Sequence, residues 1–216
     1  MSAPRSTASH GATAAALGLR ADLQLVADLV PRGSRVLDLG CGSGELLDVL
    51  SRERGCTGTG VEKDPAEVLR AIWRGVPVIE LDLDNQLDEF ADDSYDVVVL
   101  SRTLQAVLHP QHVLDEMARI APRMVVSMPN FGLWRHRLRL LTGHMPRSRD
   151  LPFTWYDTPN LHHATLVDLE ELFDERGLLV EQKIALDEQG RRSRLGERAA
   201  NLTAGAAVYV LRAPGR

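Results

Sequence analysis

The sequence predicts an α/β protein with a Rossmann-like, mostly parallel β-sheet and helices on both faces. Two observations support this fold class. Apolar residues alternate between the spacing of buried strands and the spacing of amphipathic helices along almost the whole chain. A glycine-rich turn at residues 40–44 joins one apolar strand to a helix. Because strand and helix alternate strictly, neighbouring strands are expected to run parallel, with crossover helices covering the sheet.

The first half of the chain contains strand–helix units with clear boundary signals. Gly55 closes the helix that follows the glycine turn. The next helix has Asp64 as its N-cap, Pro65 at its first position and Glu67 at its third, and it ends at Gly75. The other elements predicted here are a helix with apolar positions Leu19, Leu23, Val26, Ala27 and Val30, strands at 34–39 and 57–62, and a helix at 45–54.

The second half continues this alternation and changes character after residue 129. Its predicted elements are strands at 76–81, 95–100 and 124–128, a helix at 112–120, a basic helix at 133–141, and final strands at 178–186 and 206–212. Thr165 and Asp168 resemble a capping box for a helix that ends at Gly177. The Pro-rich segment 142–163 is long for a loop in a compact domain, which favours a functional role. The Arg-rich connection between the final strands is either a hairpin or partly disordered.

Composition excludes several classes of protein. The chain has 216 residues, of which 44% are hydrophobic and 25% charged, with a net charge of −5. This net negative charge argues against nucleic acid as the main partner. No apolar stretch approaches the roughly 20 residues that are needed to cross a bilayer. Two cysteines are too few for a disulfide framework, so we expect a cytoplasmic protein. We expect residues 1–18 to be a disordered tail and residues 19–216 to form one domain.

The most informative motif runs from Val36 to Gly44, where an apolar strand contains an acidic residue near its end and is followed by three glycines. Glycines let a ligand approach the backbone of a strand-to-helix turn. The dinucleotide fingerprint G-x-G-x-x-G would need a third glycine at position 45 or 47, and Glu45 and Leu47 stand there. The spacing therefore excludes an NAD-type site.

Three acidic positions indicate which nucleotide this turn would bind. Asp38 would repel a pyrophosphate but suits a sulfonium or an amino group, which favours S-adenosylmethionine. Glu62 ends the second strand and can accept both ribose hydroxyls, and Asp82 with Leu83 follows the third strand near the adenine. Alternatively, Asp38 caps its turn, Glu62 belongs to a surface turn, and Asp82 is a solvated acid. The candidate cofactor-binding residues are Asp38, Gly40, Cys41, Gly42, Gly44, Glu62, Asp82, Leu83 and Ser101, with Cys41 expected to pack rather than react.

With these residues placed, the chain resembles the class I S-adenosylmethionine-dependent methyltransferases and, more narrowly, the methionine biosynthesis protein MetW family. The narrower resemblance rests on residues 19–24, 100–106, 129–135 and 151–160, and it covers about 19–186. It implies a seven-stranded sheet whose last strand is antiparallel, and S-adenosylmethionine or S-adenosylhomocysteine as ligand. It also implies an accessory role toward a homoserine O-acetyl- or O-succinyltransferase of the α/β-hydrolase type. The chain itself lacks the Gly-x-Ser-x-Gly elbow of such an acyltransferase.

A free-standing small-molecule methyltransferase is the competing interpretation, and a ligand-free relic of the fold is a third. Methyl transfer would depend mainly on positioning. The Asn/Asp-Pro-Pro-aromatic motif of some N-methyltransferases is replaced by Leu100-Ser101-Arg102-Thr103. Candidate general bases are His109, His112, His136, His144, His162, His163 and Tyr156, with the adjacent pair 162–163 best placed. No histidine spacing matches a metal motif, so no metal is expected.

Residues 129–164 form the distinctive segment, and its chemistry suits a docking surface. Aromatic and arginine side chains of this kind are enriched at protein interfaces. The candidate partner-binding residues are Trp134, Arg135, Phe153, Trp155 and Tyr156, and further arginines follow at 137, 139, 147 and 149. The alternative for Trp155 and Tyr156 is a lid packed over the chain's own pocket. A nucleotide site in an accessory subunit would also allow S-adenosylmethionine to regulate the partner.

Overall fold

The computed structural model describes residues 21–193 and 195–215, and within them seven strands form one sheet. Its strand order is β3-β2-β1-β4-β5-β7-β6; β1 to β5 pair in parallel, and β7 is antiparallel to both β5 and β6. The strands are β1 (Arg35–Leu39), β2 (Thr57–Glu62), β3 (Val78–Glu80), β4 (Val97–Ser101), β5 (Arg123–Pro129), β6 (Leu179–Leu186) and β7 (Ala206–Arg212). The predicted fold class is confirmed.

Helices connect these strands at nearly the predicted positions. They are α1 (Ala21–Leu29), α2 (Glu45–Arg54), α3 (Pro65–Arg74), α4 (Pro110–Ile120), α5 (Trp134–Leu141), α6 (Leu166–Glu175) and α7 (Ala200–Thr203), with short 3₁₀ turns at Leu87–Glu89, Leu104–Ala106 and Glu197–Ala199. The Asp64 side chain accepts the Ala66 N–H at the start of α3, and Thr165 and Asp168 form a reciprocal capping box on α6. Local capping therefore accounts for both helix starts that the sequence predicted.

Buried residues lie on both faces of the sheet, as strand–helix alternation requires. Alternate residues of β1 point to opposite layers: Val36 packs with α1 and α2, whereas Leu37 packs with α4 and α6. After β6 the chain doubles back, with the Ser193 N–H bonded to the Ala185 carbonyl and a bridge between Leu186 and Arg192. The hairpin alternative is therefore correct for this part of the connection.

Strand β3 is shorter than the predicted 76–81. The Val76 N–H caps α3 by donating to the Ala71 carbonyl, and Pro77 has no N–H to donate to the ladder. Strand β4 begins at Val97 rather than at residue 95. Asp96, just before it, donates its N–H to the Arg35 carbonyl at 2.9 Å and accepts the Arg35 N–H on its carboxylate at 2.7 Å. These residues hold the strand starts in place from outside the ladder.

Asn130 fixes the point at which the chain leaves β5. This side chain is fully buried, and its amide donates to the carbonyls of Asn201 and Ala204 at 3.1 and 2.8 Å. Its oxygen accepts the Gly132 N–H at 2.9 Å. Segment 129–164 therefore begins on a rigid support next to the start of β7.

Among the helices of the described ranges, none has the length and apolar content needed to cross a membrane. The predicted disordered tail, residues 1–18, lies outside the described residues.

Candidate functional site

The carboxyl ends of β1 to β4 meet at one edge of the sheet and border two adjoining cavities of about 190 and 390 Å³, here cavity A and cavity B. Cavity A is lined by Val61, Glu62, Lys63, Leu81, Asp82, Leu83, Asp84, Ala106 and Val107, and cavity B by Leu23, Asp38, Cys41, Gly42, Ser43, Glu45, Leu46, Glu67 and Ser101. Gly40, Arg102 and Thr103 line both. Together the cavities fall within the range of small-molecule sites, about 300–1,000 Å³.

The ridge between the cavities is a close approach of two loops. Gly40 has a left-handed φ of 71°, and a Cβ placed on it would lie 2.5 Å from the Thr103 hydroxyl oxygen. The N–H groups of Gly40 and Cys41 both donate to the Val61 carbonyl, at 2.8 and 3.0 Å. Only glycine fits this position, because it combines positive φ with no room for a side chain.

Glu62 connects the glycine turn to the end of β2. One carboxylate oxygen accepts the Gly42 N–H at 2.9 Å, and the other accepts the N–H groups of Lys63 and Asp64 at 2.9 and 3.0 Å. The surface-turn alternative is thus partly right, since Glu62 does hold its own turn. The carboxylate also borders cavity A, so it keeps acceptor capacity for a ligand.

Cavity B has a strongly acidic wall. Asp38 is only 3% exposed at the end of β1, and Glu45 and Glu67 line the same cavity. Among the described lining residues, Arg102 is the one cation. The Ser101 hydroxyl lies 3.0 Å from that of Ser127, which fixes the end of β4 against β5. This charge pattern suits a ligand with a cationic group beside an anionic one.

Cys41 packs within this turn and is poorly suited to act as a nucleophile. Burial raises the pKa of its thiol well above the usual range, and the nearby carboxylates of Asp38 and Glu62 raise it further. Its sulfur lies against Gly60 of the neighbouring strand. Gly44 lies outside the described lining of both cavities, where it starts α2 with a φ of 75° and packs against Val76.

The far wall of cavity A follows β3. Asp82 accepts the Asp84 N–H at 3.1 Å, and Leu83 is buried beside it. Asp84 is buried too and accepts the N–H groups of Leu108 and His109 at 2.8 and 3.0 Å. Asp84 was not predicted as a site residue, because its hydrogen-bond partners lie more than 20 residues further along the chain, after β4. Its hydrogen bonds fix the position of the cavity wall.

Arg102 was also missed, and it is the most constrained side chain at the site. It has a positive φ of 57°, which is rare outside glycine. Its guanidinium forms ion pairs with Asp22 of α1 at 2.6 Å and with Asp150 at 2.7 Å. The available signal in the sequence was its place directly after an apolar strand, where parallel sheets bind ligands.

The candidate bases are not among the described residues that line the two cavities. Among the described residues that line cavities A and B, none is a histidine. His162 and His163 are exposed, and the His163 ring packs edge-on against Phe131 at 4.8 Å. His136 is buried, and this burial lowers its pKa. Neither ring of the pair 162–163 lines cavity A or B, so their role as the best-placed base stays a prediction.

The aromatic residues of the distinctive segment are open to solvent. Trp155 and Tyr156 are 73% and 72% exposed and contact each other edge-on at 5.4 Å. Trp134 and Phe153 are also exposed, and the Arg135 guanidinium lies over the Trp134 ring while pairing with Glu188. Neither Trp155 nor Tyr156 lines cavity A or B, so the two rings do not form a lid over these cavities. Trp155 and Phe153 border a separate small pocket within their own segment.

Comparison with known proteins relates this chain to one family. The family model described as "Methionine biosynthesis protein MetW" matches residues 20–211. The chain is 33% identical over 199 residues to the bifunctional methionine biosynthesis protein MetXA/MetW of Rhodopirellula baltica. That match covers 87% of this chain and 32% of the relative, so the chain spans about a third of the length of that protein.

Solved structures show the same fold at low sequence identity. An S-adenosylmethionine-dependent methyltransferase from Mesorhizobium loti matches with a TM-score of 0.67 at 18% identity, covering 91% of this chain and 99% of that one. A chain from the complex between the Haloferax volcanii Trm112 methyltransferase activator and the putative methyltransferase also gives 0.67, at 20% identity over 90% and 89%.

Substitution Gly40→Ala should lower the unfolding free energy more than the same substitution at another glycine with positive φ. Gly33→Ala is the matched control, because Gly33 has a φ of 73° but no atom within 4 Å of the position that an added Cβ would take. We expect Gly33→Ala to cost about 1 kcal/mol of unfolding free energy and Gly40→Ala about 1–3 kcal/mol more, from overpacking. Urea unfolding measures both.

The double variant Gly40→Ala/Thr103→Ala also lacks the two Thr103 side-chain atoms that lie closest to the added Cβ. It should recover part of the unfolding free energy that Gly40→Ala loses. Equal destabilisation by Gly40→Ala and Gly33→Ala would contradict the close approach described here.

Proposed function

The chain belongs to the methionine biosynthesis protein MetW family, and from that membership we propose that it is an S-adenosylmethionine-binding accessory subunit that activates a homoserine O-acyltransferase. The R. baltica relative supports an association, because its name joins MetXA and MetW in one bifunctional protein. About two thirds of that relative lies outside the match, which leaves room for a partner enzyme in the same chain.

The residues at the cleft fit S-adenosylmethionine or S-adenosylhomocysteine. Leu81, Leu83 and Val107 give cavity A apolar walls for an adenine, and Glu62 would accept the ribose hydroxyls. Asp38 would face the ammonium or sulfonium in cavity B, next to the backbone of the glycine turn. When bound, S-adenosylmethionine supplies a methyl group activated by the positive sulfur.

A docking face for the acyltransferase is the second part of the proposal. We define this face as Trp134, Arg135, Phe153, Trp155 and Tyr156. The observation that carries the proposal is the exposure of the Trp155–Tyr156 pair, since aromatic side chains of this size are the usual anchors of interfaces. Trp155 borders a small pocket within its own segment, and most of the surface of both rings still lies in solvent, where a partner can cover it.

Arginines around the docking face favour an acidic partner surface. Within the described residues, Arg137, Arg139 and Arg147 donate to the backbone carbonyls of Gly132, Met145 and Pro152 and form no ion pair with a carboxylate. Their positive charges are therefore not neutralised within the described part of the chain. Charge complementarity of this kind steers association and sets its dependence on salt.

An independent methyltransferase is the second candidate, because the nucleotide site retains Asp38, the glycine turn and Glu62. Formation of S-adenosylhomocysteine by the chain alone would support it. The accessory role is favoured because the Trp155–Tyr156 pair is exposed and lies outside the described lining of cavities A and B.

Substitution Glu62→Ala should weaken nucleotide binding. Each lost hydrogen bond to a charged group is worth about 1.5–3 kcal/mol, or roughly 10- to 150-fold in Kd. Titration calorimetry with S-adenosylhomocysteine measures the effect. Glu80→Ala is the matched control, because Glu80 lies beside Glu62 in the β2–β3 register but is outside the described cavity lining. Equal affinities of the two variants would show that Glu62 is not the ribose ligand.

The double substitution Trp155→Ala/Tyr156→Ala should strongly reduce activation of the acyltransferase at concentrations where the unsubstituted chain saturates it. Loss of interface anchors costs about 2 kcal/mol or more, which raises the half-saturating concentration by roughly 30-fold or more. The rate of homoserine acylation by the cognate enzyme, measured against added chain, gives this value.

Trp73→Ala is the control for this experiment, because Trp73 is 82% exposed on α3, which leads into the edge strand β3, whereas the docking face follows β5. It should activate like the unsubstituted chain. Normal activation by the double variant would exclude the docking face, and failure of the unsubstituted chain to activate would exclude the accessory role.

A further inference from the structure

Arg102 joins the nucleotide cleft to the segment that carries the docking face. Its side chain reaches three parts of the chain, because it lines cavities A and B, pairs with Asp22 on α1 and pairs with Asp150 in the Pro-rich segment. The side chains of Asp22 and Asp150 are 5% and 6% exposed, so both ion pairs are shielded from water. Phe153, Trp155 and Tyr156 follow Asp150 within six residues.

The backbone of Arg102 is held in a strained conformation by its surroundings. The Arg102 N–H donates to the Ser127 carbonyl at 2.9 Å, and its carbonyl accepts the Gln105 side-chain amide at 2.7 Å. A non-glycine residue with positive φ persists only where such contacts determine it. The guanidinium is therefore placed between the cleft and the two carboxylates by the fold itself.

Asp150 depends on Arg102 more than an ordinary salt-bridged acid would. One carboxylate oxygen bonds to Arg102, while the other is buried and has no hydrogen-bond partner within the described residues. That second oxygen lies against Gly205, where a Cβ would be only 2.5 Å away. A buried carboxylate that loses its cation is strongly unfavourable. Weakening of the Arg102 bond should therefore move residue 150 toward water.

A ligand in cavity B would compete for the same guanidinium. The described charged residues that border this cavity are Asp38, Glu45, Glu67 and Arg102. Of these described residues, the three acids would repel the carboxylate of an α-amino-acid group and Arg102 would attract it. Such a ligand would bind the Arg102 guanidinium in place of Asp150.

We propose that Arg102 is a positioning residue that couples nucleotide binding to the docking face: the amino-acid carboxylate of the nucleotide draws the guanidinium away from Asp150 and thereby releases the segment from 148 to 157. This inference rests on the proposed function and states how its two sites are connected. Linkage makes the effect reciprocal, so displacement of the segment strengthens nucleotide binding.

Amide hydrogen exchange of the isolated chain, with and without S-adenosylhomocysteine, tests this coupling. We expect the ligand to speed exchange at residues 148–157. Asp150→Asn removes the competing charge with little change in shape, so it should tighten S-adenosylhomocysteine binding by about fivefold or more and abolish the ligand-dependent change in exchange. Asp157→Asn is the control, because Asp157 is an exposed acid on the same segment.

Outcomes of this experiment separate the coupling from the proposed function, because no acyltransferase is present. Binding of S-adenosylhomocysteine without a change in exchange at 148–157 would overturn the coupling and leave the nucleotide site intact. Absence of binding in calorimetry would overturn both. If Asp150→Asn fails to fold, the exchange of the unsubstituted chain alone still decides the matter.

Discussion

The close passage of the glycine turn after β1 beneath the loop after β4 is the constraint on which the site depends. Gly40 lies where a single methyl group would collide with Thr103, and its positive φ directs the chain into α2. Both Gly40 and Cys41 are bonded to Val61 of the next strand. This contact divides the cleft into cavities A and B and fixes Arg102 at their boundary.

Two surfaces with different supports follow from this arrangement. The proposed nucleotide cleft is built from backbone groups at strand ends, and Glu62 holds the glycine turn through the Gly42 N–H. The proposed docking face lies on the start of helix α5 and on the irregular segment that follows this helix, and the chain there is anchored by Asn130 and by Asp150. Rigid strand ends suit recognition of a small ligand, whereas an anchored loop with exposed rings suits a protein surface.

The sequence predicted elements whose signals are local. Helix 45–54 and strand 57–62 were predicted with correct bounds, because apolar spacing and glycine stops determine them. The positions of Asp38 and Glu62 at the cleft also followed from a short motif. Long-range partners could not be predicted in this way: Arg102 meets Asp22 and Asp150 only after folding, and Asn130 meets Ala204 across the end of the sheet. The exposure of Trp155 could not be predicted from the sequence either, because a lid and a docking surface contain the same types of residue.

Gel filtration of the chain with its cognate homoserine O-acyltransferase, on a column equilibrated with radiolabelled S-adenosylmethionine, tests the central claim that one chain holds both the nucleotide and the partner. We expect a complex peak that carries one nucleotide for each copy of this chain. A complex without nucleotide, or nucleotide bound only to chain that has not joined a complex, would contradict it.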